Sequence, residues 1–408
     1  MSLDYIIGGF ARYQRLQSSN DDDAVDRLNH IYTVTLLVVL SIFVSGKQYV
    51  GNAIECFCEC GEFAASKRDY VETYCWLKNT YKVNSDLQIP KDREDRKKEE
   101  IAYYQWVPIA LLVMAAMFKL PNLLWRVFSY NSGMDLNQVA SLVINSQVGP
   151  TDKAKETMKQ VAEYIDRWLE GHRQFNWNAV VRTKKYLSKR CCFFCFWGKR
   201  FGTYLTGLYL LAKFLFVLID IFVFLILQKV LGDWYSLYGF NLLAGVFDTT
   251  RDDLWNESPY FPKVTFCDTD IAQQTNKQAF TVQCALPINM FNEKIFAFLW
   301  FWMFMVSVVT VINFLYWVYK WVFGGLKYIY NVKKFLKAKG LLVTEYDRLQ
   351  AGQFGRQYLR RDGAFVLAVI LNNSNEVVMG DLVSELWKIY RSKPMSKRDR
   401  CQGDVMYI

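Results

Sequence analysis

The chain has 408 residues, a formal net charge of +10 and 52% hydrophobic residues. Mean hydropathy is near zero, at +0.02, yet the apolar residues are gathered into four long stretches, which excludes an ordinary soluble domain. There are only two histidines, His30 and His172, no glycine-rich phosphate loop and no H-E-x-x-H or G-x-S-x-G motif, so neither enzyme chemistry nor a metal or cofactor is expected.

In chain order, residues 1–27 form a short mixed segment. Residues 3–16 read as an amphipathic helix with Tyr5, Ile6, Phe10 and Tyr13 on one face, followed by an acidic patch at Asp21, Asp22, Asp23 and Asp26. That acidic lead-in is not the basic n-region of a signal peptide, so the N-terminus is expected to be retained. The apolar stretches are 28–46, 101–125, 201–228 and 295–319. The first and fourth hold no charged residue, the second only Lys119, and the third only Lys213 and Asp220. Each is long enough for a hydrocarbon core that needs about 20 helical residues. None alternates as a barrel strand would, so all four are predicted to be transmembrane helices.

Between them lie loops 47–100, 126–200 and 229–294, and a tail of residues 320–408. The first loop ends in the run Lys91-Asp-Arg-Glu-Asp-Arg-Lys-Lys-Glu-Glu100, whose mixed signs suggest a solvated helix. The second is predicted to be helical around 152–169, where Val161, Ile165, Trp168 and Leu169 recur at helical spacing. In the tail, 364–371 is a candidate strand and Asp381 a candidate cap for a helix over 382–390.

Four spans put segment 1–27, loop 126–200 and the tail on one side. These carry 32 Lys+Arg against 19 Asp+Glu, while loops 47–100 and 229–294 carry 15 against 19. The first side is therefore expected to be cytoplasmic. Cysteine usage agrees: Cys56, Cys58, Cys60, Cys75, Cys267 and Cys284 all fall in the outer loops, where disulfides persist. Asn256-Glu-Ser is a glycosylation acceptor on the same outer side, whereas Asn372-Asn-Ser lies in the cytoplasmic tail and should be silent. Cys191, Cys192 and Cys195 lack a second ligand pair for a metal; beside Lys199 and Arg200 they suit S-palmitoylation or are plain reduced cysteines. Lys213 and Asp220 share one face of the third span. They read either as part of an aqueous pathway or, more simply, as interhelical bonding or as snorkelling of Lys213 and Lys119.

The second span opens with Tyr104-Gln105-Trp106-Val107-Pro108. A proline in a helix's first turn forfeits little, and one several residues further in would kink it. Further blocks accompany this one: Asp21-Asp-Asp-Ala-Val-Asp-Arg-Leu-Asn29, Ser45-Gly-Lys-Gln-Tyr-Val-Gly51, Tyr74-Cys-Trp-Leu-Lys-Asn-Thr-Tyr81, Phe261-Pro-Lys-Val-Thr-Phe-Cys-Asp268, Thr281-Val-Gln-Cys284, Leu286-Pro-Ile-Asn-Met-Phe-Asn-Glu-Lys294 and Asp381-Leu-Val-Ser-Glu-Leu-Trp387. In this order they resemble the innexin family, the invertebrate gap-junction channel proteins, whose signature is Y-Q-W-V-P. The departure is in the first outer loop, which has four cysteines where the family has two. Cys56 and Cys75 fit the family positions, and Cys58 and Cys60 are extra.

The resemblance implies an all-α membrane protein of four transmembrane helices per subunit, with disulfide-stapled extracellular loops and a cytoplasmic helical or mixed domain. It also implies an oligomeric ring of six to eight subunits around a central pore in the plasma membrane at cell–cell junctions. Such a ring would contact membrane lipids, dock with a like ring on the next cell, and pass ions and small metabolites passively, with no nucleic-acid partner. It implies that the N-terminal segment enters the pore mouth, which would make Met1, Ser2, Leu3 and Asp4 pore-lining. The four family cysteines allow bridges within each loop or between loops. The resemblance points to the crossed pairing Cys56–Cys284 and Cys75–Cys267, which would also hold both loops in one arrangement for docking. An undocked hemichannel is the alternative reading, and a four-span adhesion protein a further one.

Overall fold

A computed structural model describes residues 22–57, 64–83, 89–146, 151–171, 202–247, 260–273 and 276–393. Among these, the helices long and apolar enough to cross a membrane are Ala24–Tyr49 (α1), Val107–Tyr130 (α4), Tyr204–Leu231 (α7) and Pro287–Val322. The last is the first part of a 52-residue helix, Pro287–Ala338 (α9). Between and after them lie α2 (Ala64–Lys78), α3 (Arg93–Lys98), α5 (Leu136–Asn145), α6 (Thr151–Gly171), α8 (Tyr238–Phe247), α10 (Glu345–Gln353), α11 (Arg360–Asn373) and α12 (Glu376–Ser392). Among the described residues there are also five strands: β1 (Glu55–Cys56), β2 (Thr80–Tyr81), β3 (Glu100–Ile101), β4 (Val264–Gln273) and β5 (Asn276–Ala285).

The helix starts follow local chemistry. Asp23 and Asp26 form a reciprocal capping box at the head of α1, each side chain accepting from the other's backbone N–H. A π-helical turn over Leu28–Thr33 then widens α1 where it carries the buried polar residues Asn29 and His30. Helix α9 begins with a proline, whose missing N–H costs nothing there. Helix α4 carries Pro121 in its interior, which removes the usual bond to the carbonyl of Met117.

The chain forms two compact units. One comprises the described residues of Tyr32–Phe118 and Ile219–Val308. Its core gathers Leu37, Tyr104, Leu111, Phe118, Tyr235, Phe261, Leu299 and Trp300 beneath a five-stranded antiparallel sheet of order β1-β5-β4-β2-β3. The β4–β5 hairpin pairs from Val264↔Ala285 to Gln273↔Asn276, while β1 reaches only Cys284 and Ala285 and β2 meets β4 only at Phe266. Beyond that point the hairpin continues as a two-stranded ribbon.

The other unit comprises the described residues of Met1–Ile31, Lys119–Leu218 and Val309–Ile408. Its core packs α5, α6, α11 and α12 around Ile165, Tyr358, Phe365, Leu386 and Trp387. Val161, Ile165 and Leu169 of α6 are buried at the spacing the sequence indicates.

Three local expectations are corrected. Residues 364–371 are not a strand but lie inside α11, where Phe365, Val366, Leu367, Val369 and Ile370 are all buried. A continuous apolar run has no period to separate strand from helix, and burial all round selects the helix. Asp381 is not a cap. Helix α12 starts five residues earlier, at Glu376, where the Asn375 side chain accepts from the Val378 N–H at 3.0 Å. The helix of the second span starts at Val107 rather than 101, because Ile101 pairs with Thr80 in the sheet and residues Tyr103–Gln105 form a 3-10 turn.

Candidate functional site

In the sheet-bearing unit the two loops are joined by two crossed disulfides. Cys56 is bonded to Cys284, its opposite number in the β1–β5 ladder, and Cys75 of α2 is bonded to Cys267 of β4. The sulfurs of Cys56, Cys75 and Cys284 lie within 4.8 Å of one another. This reflects two disulfides packed side by side, whose sulfurs are already bonded to each other. All four cysteines are buried, so the two loops share one core.

Salt bridges clamp the same module from outside. Arg96 of α3 places Nη1 at 2.7 and 2.9 Å from the two carboxylate oxygens of Asp268, which also accepts from the Tyr81 and Thr281 hydroxyls at 3.1 and 2.8 Å. Arg93 forms a bidentate pair with Asp270 at 2.7 and 3.1 Å. The charge run of residues 91–100 holds the expected helix over Arg93–Lys98, but that helix is tied to the β4–β5 ribbon by Arg93 and Arg96 rather than simply solvated. These pairs join residues more than 170 positions apart, and no local pattern marks them.

The Tyr104–Pro108 segment is the joint beneath this module. Tyr104 is fully buried, its ring 4.9 Å from that of Trp76, and burial pushes its phenol up to about 12. The Gln105 side-chain amide donates to the Trp76 carbonyl and to Asn79 Oδ1, the latter at 3.1 Å. Asn79 ends α2 in the left-handed region, at φ 71°, which Asn tolerates better than most residues. The Gln105 and Pro108 carbonyls accept from Gln48 and Ser41 of α1, at 3.4 and 2.9 Å. Val107 is buried and Trp106 is 60% exposed. Pro108 sits in the first turn of α4 and so produces no kink. The five residues hold α1, α2 and α4 together rather than forming a reactive centre.

In the other unit, a cluster of buried charges sits where α1 begins. Lys213 of α7, 2% exposed, places its ammonium 2.5 Å from Asp23 and 2.7 Å from Asp26. Asp23 Oδ2 also accepts from Asn313 and from the Trp317 indole, both at 3.0 Å, and Asp26 accepts from the Tyr209 hydroxyl at 2.8 Å. Asp22 meets the His30 ring at 2.8 Å, and Lys119 lies 3.4 Å from the other ring nitrogen. Asn29 donates to Thr310 at 2.9 Å. Lys213 therefore bonds between helices rather than reaching for headgroups. Its partners lie in the acidic patch before the first span, a complementary charge that the sequence displayed but that local rules did not connect to it. Asp220 is buried in the sheet-bearing unit.

A contact across the tail fixes the start of α7. The Asp362 carboxylate accepts from the Tyr204 N–H at 2.8 Å, the Thr206 N–H at 3.1 Å and the Thr206 hydroxyl at 2.9 Å. It acts as a cap supplied from a distant helix. Burial holds this carboxyl above its ordinary value despite those donors.

Met1, Ser2, Leu3, Asp4, the helix expected at 3–16, Asn256, Cys58, Cys60, Cys191, Cys192, Cys195 and Cys401 lie outside the described residues.

Comparison with known proteins places this geometry. The family model for Innexin matches residues 22–390. Innexin unc-9 of Caenorhabditis elegans is 31% identical over 376 residues, covering 92% of this chain and 94% of that protein. Innexin-3 of the same organism is 34% identical over 384 residues, covering 94% and 87% respectively. Innexin-19 of Caenorhabditis briggsae is 31% identical over 407 residues, covering 93% and 88%.

Proposed function

The chain belongs to the innexin family, and from that premise we propose that rings of six to eight subunits dock end to end between adjacent cells and pass ions and small metabolites by diffusion. It is a membrane-embedded, oligomeric gap-junction channel subunit and not an enzyme. The observation that carries the finer reading is the family match over residues 22–390, which takes in all four spans and both disulfide-bonded loops.

Crossed disulfides support docking because they order both loops in advance. Ordering them at contact would subtract from the binding free energy. They support the orientation too: bonds that persist belong on the oxidising side, which leaves both termini in the cytoplasm. In this reading Met1, Ser2, Leu3 and Asp4 line the cytoplasmic pore mouth, Asn256 is open to glycosylation, and Tyr104–Pro108 keeps the outer module fixed on the spans.

The test is current between two cells that each express the chain, beside current across the membrane of a single cell. Junctional current is the expected result. Single-cell current alone would replace the docked channel with a hemichannel, and no current in either arrangement would leave adhesion. With junctional current in hand, Asp4→Asn should lower the cation/anion permeability ratio, and an unchanged reversal potential would remove Asp4 from the conduction path.

A further inference from the structure

The sheet-bearing unit carries an open groove of about 560 Å³. Its apolar lining includes Ile101, Val230 and Leu231, with the aromatic residues Trp106 and Tyr260. Its lining also holds both signs of charge, Lys82 and Lys98 together with Glu99 and Glu100. The Lys82 N–H donates to the Glu99 carbonyl at 3.1 Å, so the two lysines and the two glutamates stand on neighbouring backbone.

The position of the groove along the spans follows from its residues. Trp106 directly precedes α4, and Val230 and Leu231 are the last two residues of α7. Both spans therefore change from apolar helix to polar loop at this groove. That is the level of the lipid headgroups, where amphipathic aromatic rings collect. Trp106 fits the level, since the residue is 60% exposed.

The charges narrow the choice of ligand. A headgroup with net negative charge would be drawn to the lysines but repelled by Glu99 and Glu100, and a lone cation would meet the reverse. A zwitterion presents phosphate to one pair and ammonium to the other, so each charge finds its opposite. Lys98 can turn to a ligand at little cost, because its present partner Asp95 forms an exposed i,i+3 pair of the kind that contributes little.

We propose that this groove binds one zwitterionic glycerophospholipid from the leaflet abutting the disulfide-bonded loops. Its phosphate faces Lys82 and Lys98, its ammonium faces Glu99 and Glu100, and its glycerol and upper acyl chain lie on Ile101, Trp106, Val230 and Leu231. A bound lipid would brace the β3–α4 joint from outside, next to the Tyr104–Pro108 segment.

The experiment uses the purified full-length oligomer and phosphatidylcholine bearing a photoactivatable group near the glycerol, with labelled peptides mapped after irradiation. Label is expected on the peptides holding 101–106 and 230–231. Unlabelled phosphatidylcholine or phosphatidylethanolamine should compete it away, and phosphatidylglycerol should do so about tenfold less well. Lys82→Glu with Lys98→Glu should reduce that label about tenfold while leaving label at the exposed Ile312 and Leu315 of α9 unchanged. Val230→Trp, which fills the groove without altering a charge, should do the same and covers the case in which the charge reversals disturb folding. Equal competition by phosphatidylglycerol, or full labelling of both variants, would overturn the proposal. So would an unlabelled groove in which an amine-reactive cross-linker joins Lys98 to an adjacent subunit, since the subunit interface would then occupy the site. None of these readouts depends on junctional current, so failure here leaves the docked channel standing and failure of docking leaves the lipid site testable.

Discussion

Replacing Lys213 by methionine tests whether the buried charges at the head of α1 are a structural lock. Lys213 is 2% exposed and is the shared cation of Asp23 and Asp26, at 2.5 and 2.7 Å. It also stands 4.9 Å above the Tyr209 ring. Removing one partner of a buried ion pair costs about 3–5 kcal/mol, chiefly through the charge left behind. Here two carboxylates lose the same cation, and only Asp23 keeps neutral side-chain donors on the shared oxygen, Asn313 and Trp317. The upper part of that range applies, which corresponds to an apparent melting point lower by on the order of 10 °C. The assay is the temperature at which the purified oligomer loses half of its size-exclusion peak. Asp26→Asn in the Lys213→Met background should recover part of the loss, with a coupling of about 0.5–3 kcal/mol. A snorkelling lysine makes the opposite prediction, because methionine in an apolar span would be neutral or stabilising. Melting within about 2 °C of the parent, well under the shift worked from the buried pair, would refute the lock, as would a double variant no better than the single.

Four further outcomes follow from particular contacts. Asp268→Asn should loosen the β4–β5 ribbon from α3 at a cost of about 1–2 kcal/mol and reduce junctional current more than single-cell current; an equal loss of both would place the clamp's role outside docking. A Cβ on Gly239 would lie 1.9 Å from the Trp300 ring, so Gly239→Ala should destabilise the sheet-bearing unit by about 1–3 kcal/mol, and Trp300→Leu should recover part of that in the melting assay. Burial raises the Asp362 carboxyl, so the fold favours its neutral form. That contribution is full below the ordinary carboxylate range and is lost as pH rises through the elevated value. The melting point should fall over that window in the parent and show a shallower slope in Asp362→Asn. Cys58→Ser with Cys60→Ser should still assemble, because Cys56 is the bonded partner of Cys284; loss of the oligomer would give the extra cysteines a structural task.

What the sequence disclosed divides by the range of the forces involved. The four helices were readable because a hydrocarbon core imposes a length and a composition on each span separately. The Tyr104–Pro108 block stood out as a motif, but its work did not. Pro108 and, in part, Gln105 act through their carbonyls on Ser41 and Gln48, backbone acceptors that carry no side-chain signature, and the Gln105 amide finds its partners on Trp76 and Asn79, outside the block. The tail failed as a strand for a related reason. Eight apolar residues in a row say that a segment is buried without saying in what conformation, and the helix appears only once α5, α6 and α12 enclose it.

The charged residues show the same limit from the other side. Lys213 was visible as an anomaly, since a lysine in an apolar span must be explained, and the acidic patch at Asp22, Asp23 and Asp26 was visible as well. Seen locally, Lys213 reads as part of an aqueous pathway, as an interhelical bond or as a snorkelling cation, and the acidic patch only as a lead-in unlike the basic region of a signal peptide, so neither names the other as its partner. Only the energetic cost of burial joins them. A lysine that is 2% exposed cannot stay charged without a counter-ion, and the carboxylates within reach come from residues about 190 positions away. The same reasoning applies to Arg96 and Asp268, where the sequence displays both halves of the pair and withholds the pairing. Charge inventories can therefore nominate residues that need partners, while the choice of partner is made by the packing of the apolar helices around them. Because that packing brings the head of α1 against α7 and α9, the start of α1 is held by the Lys213 ammonium of α7 and by the neutral donors Asn313 and Trp317 of α9.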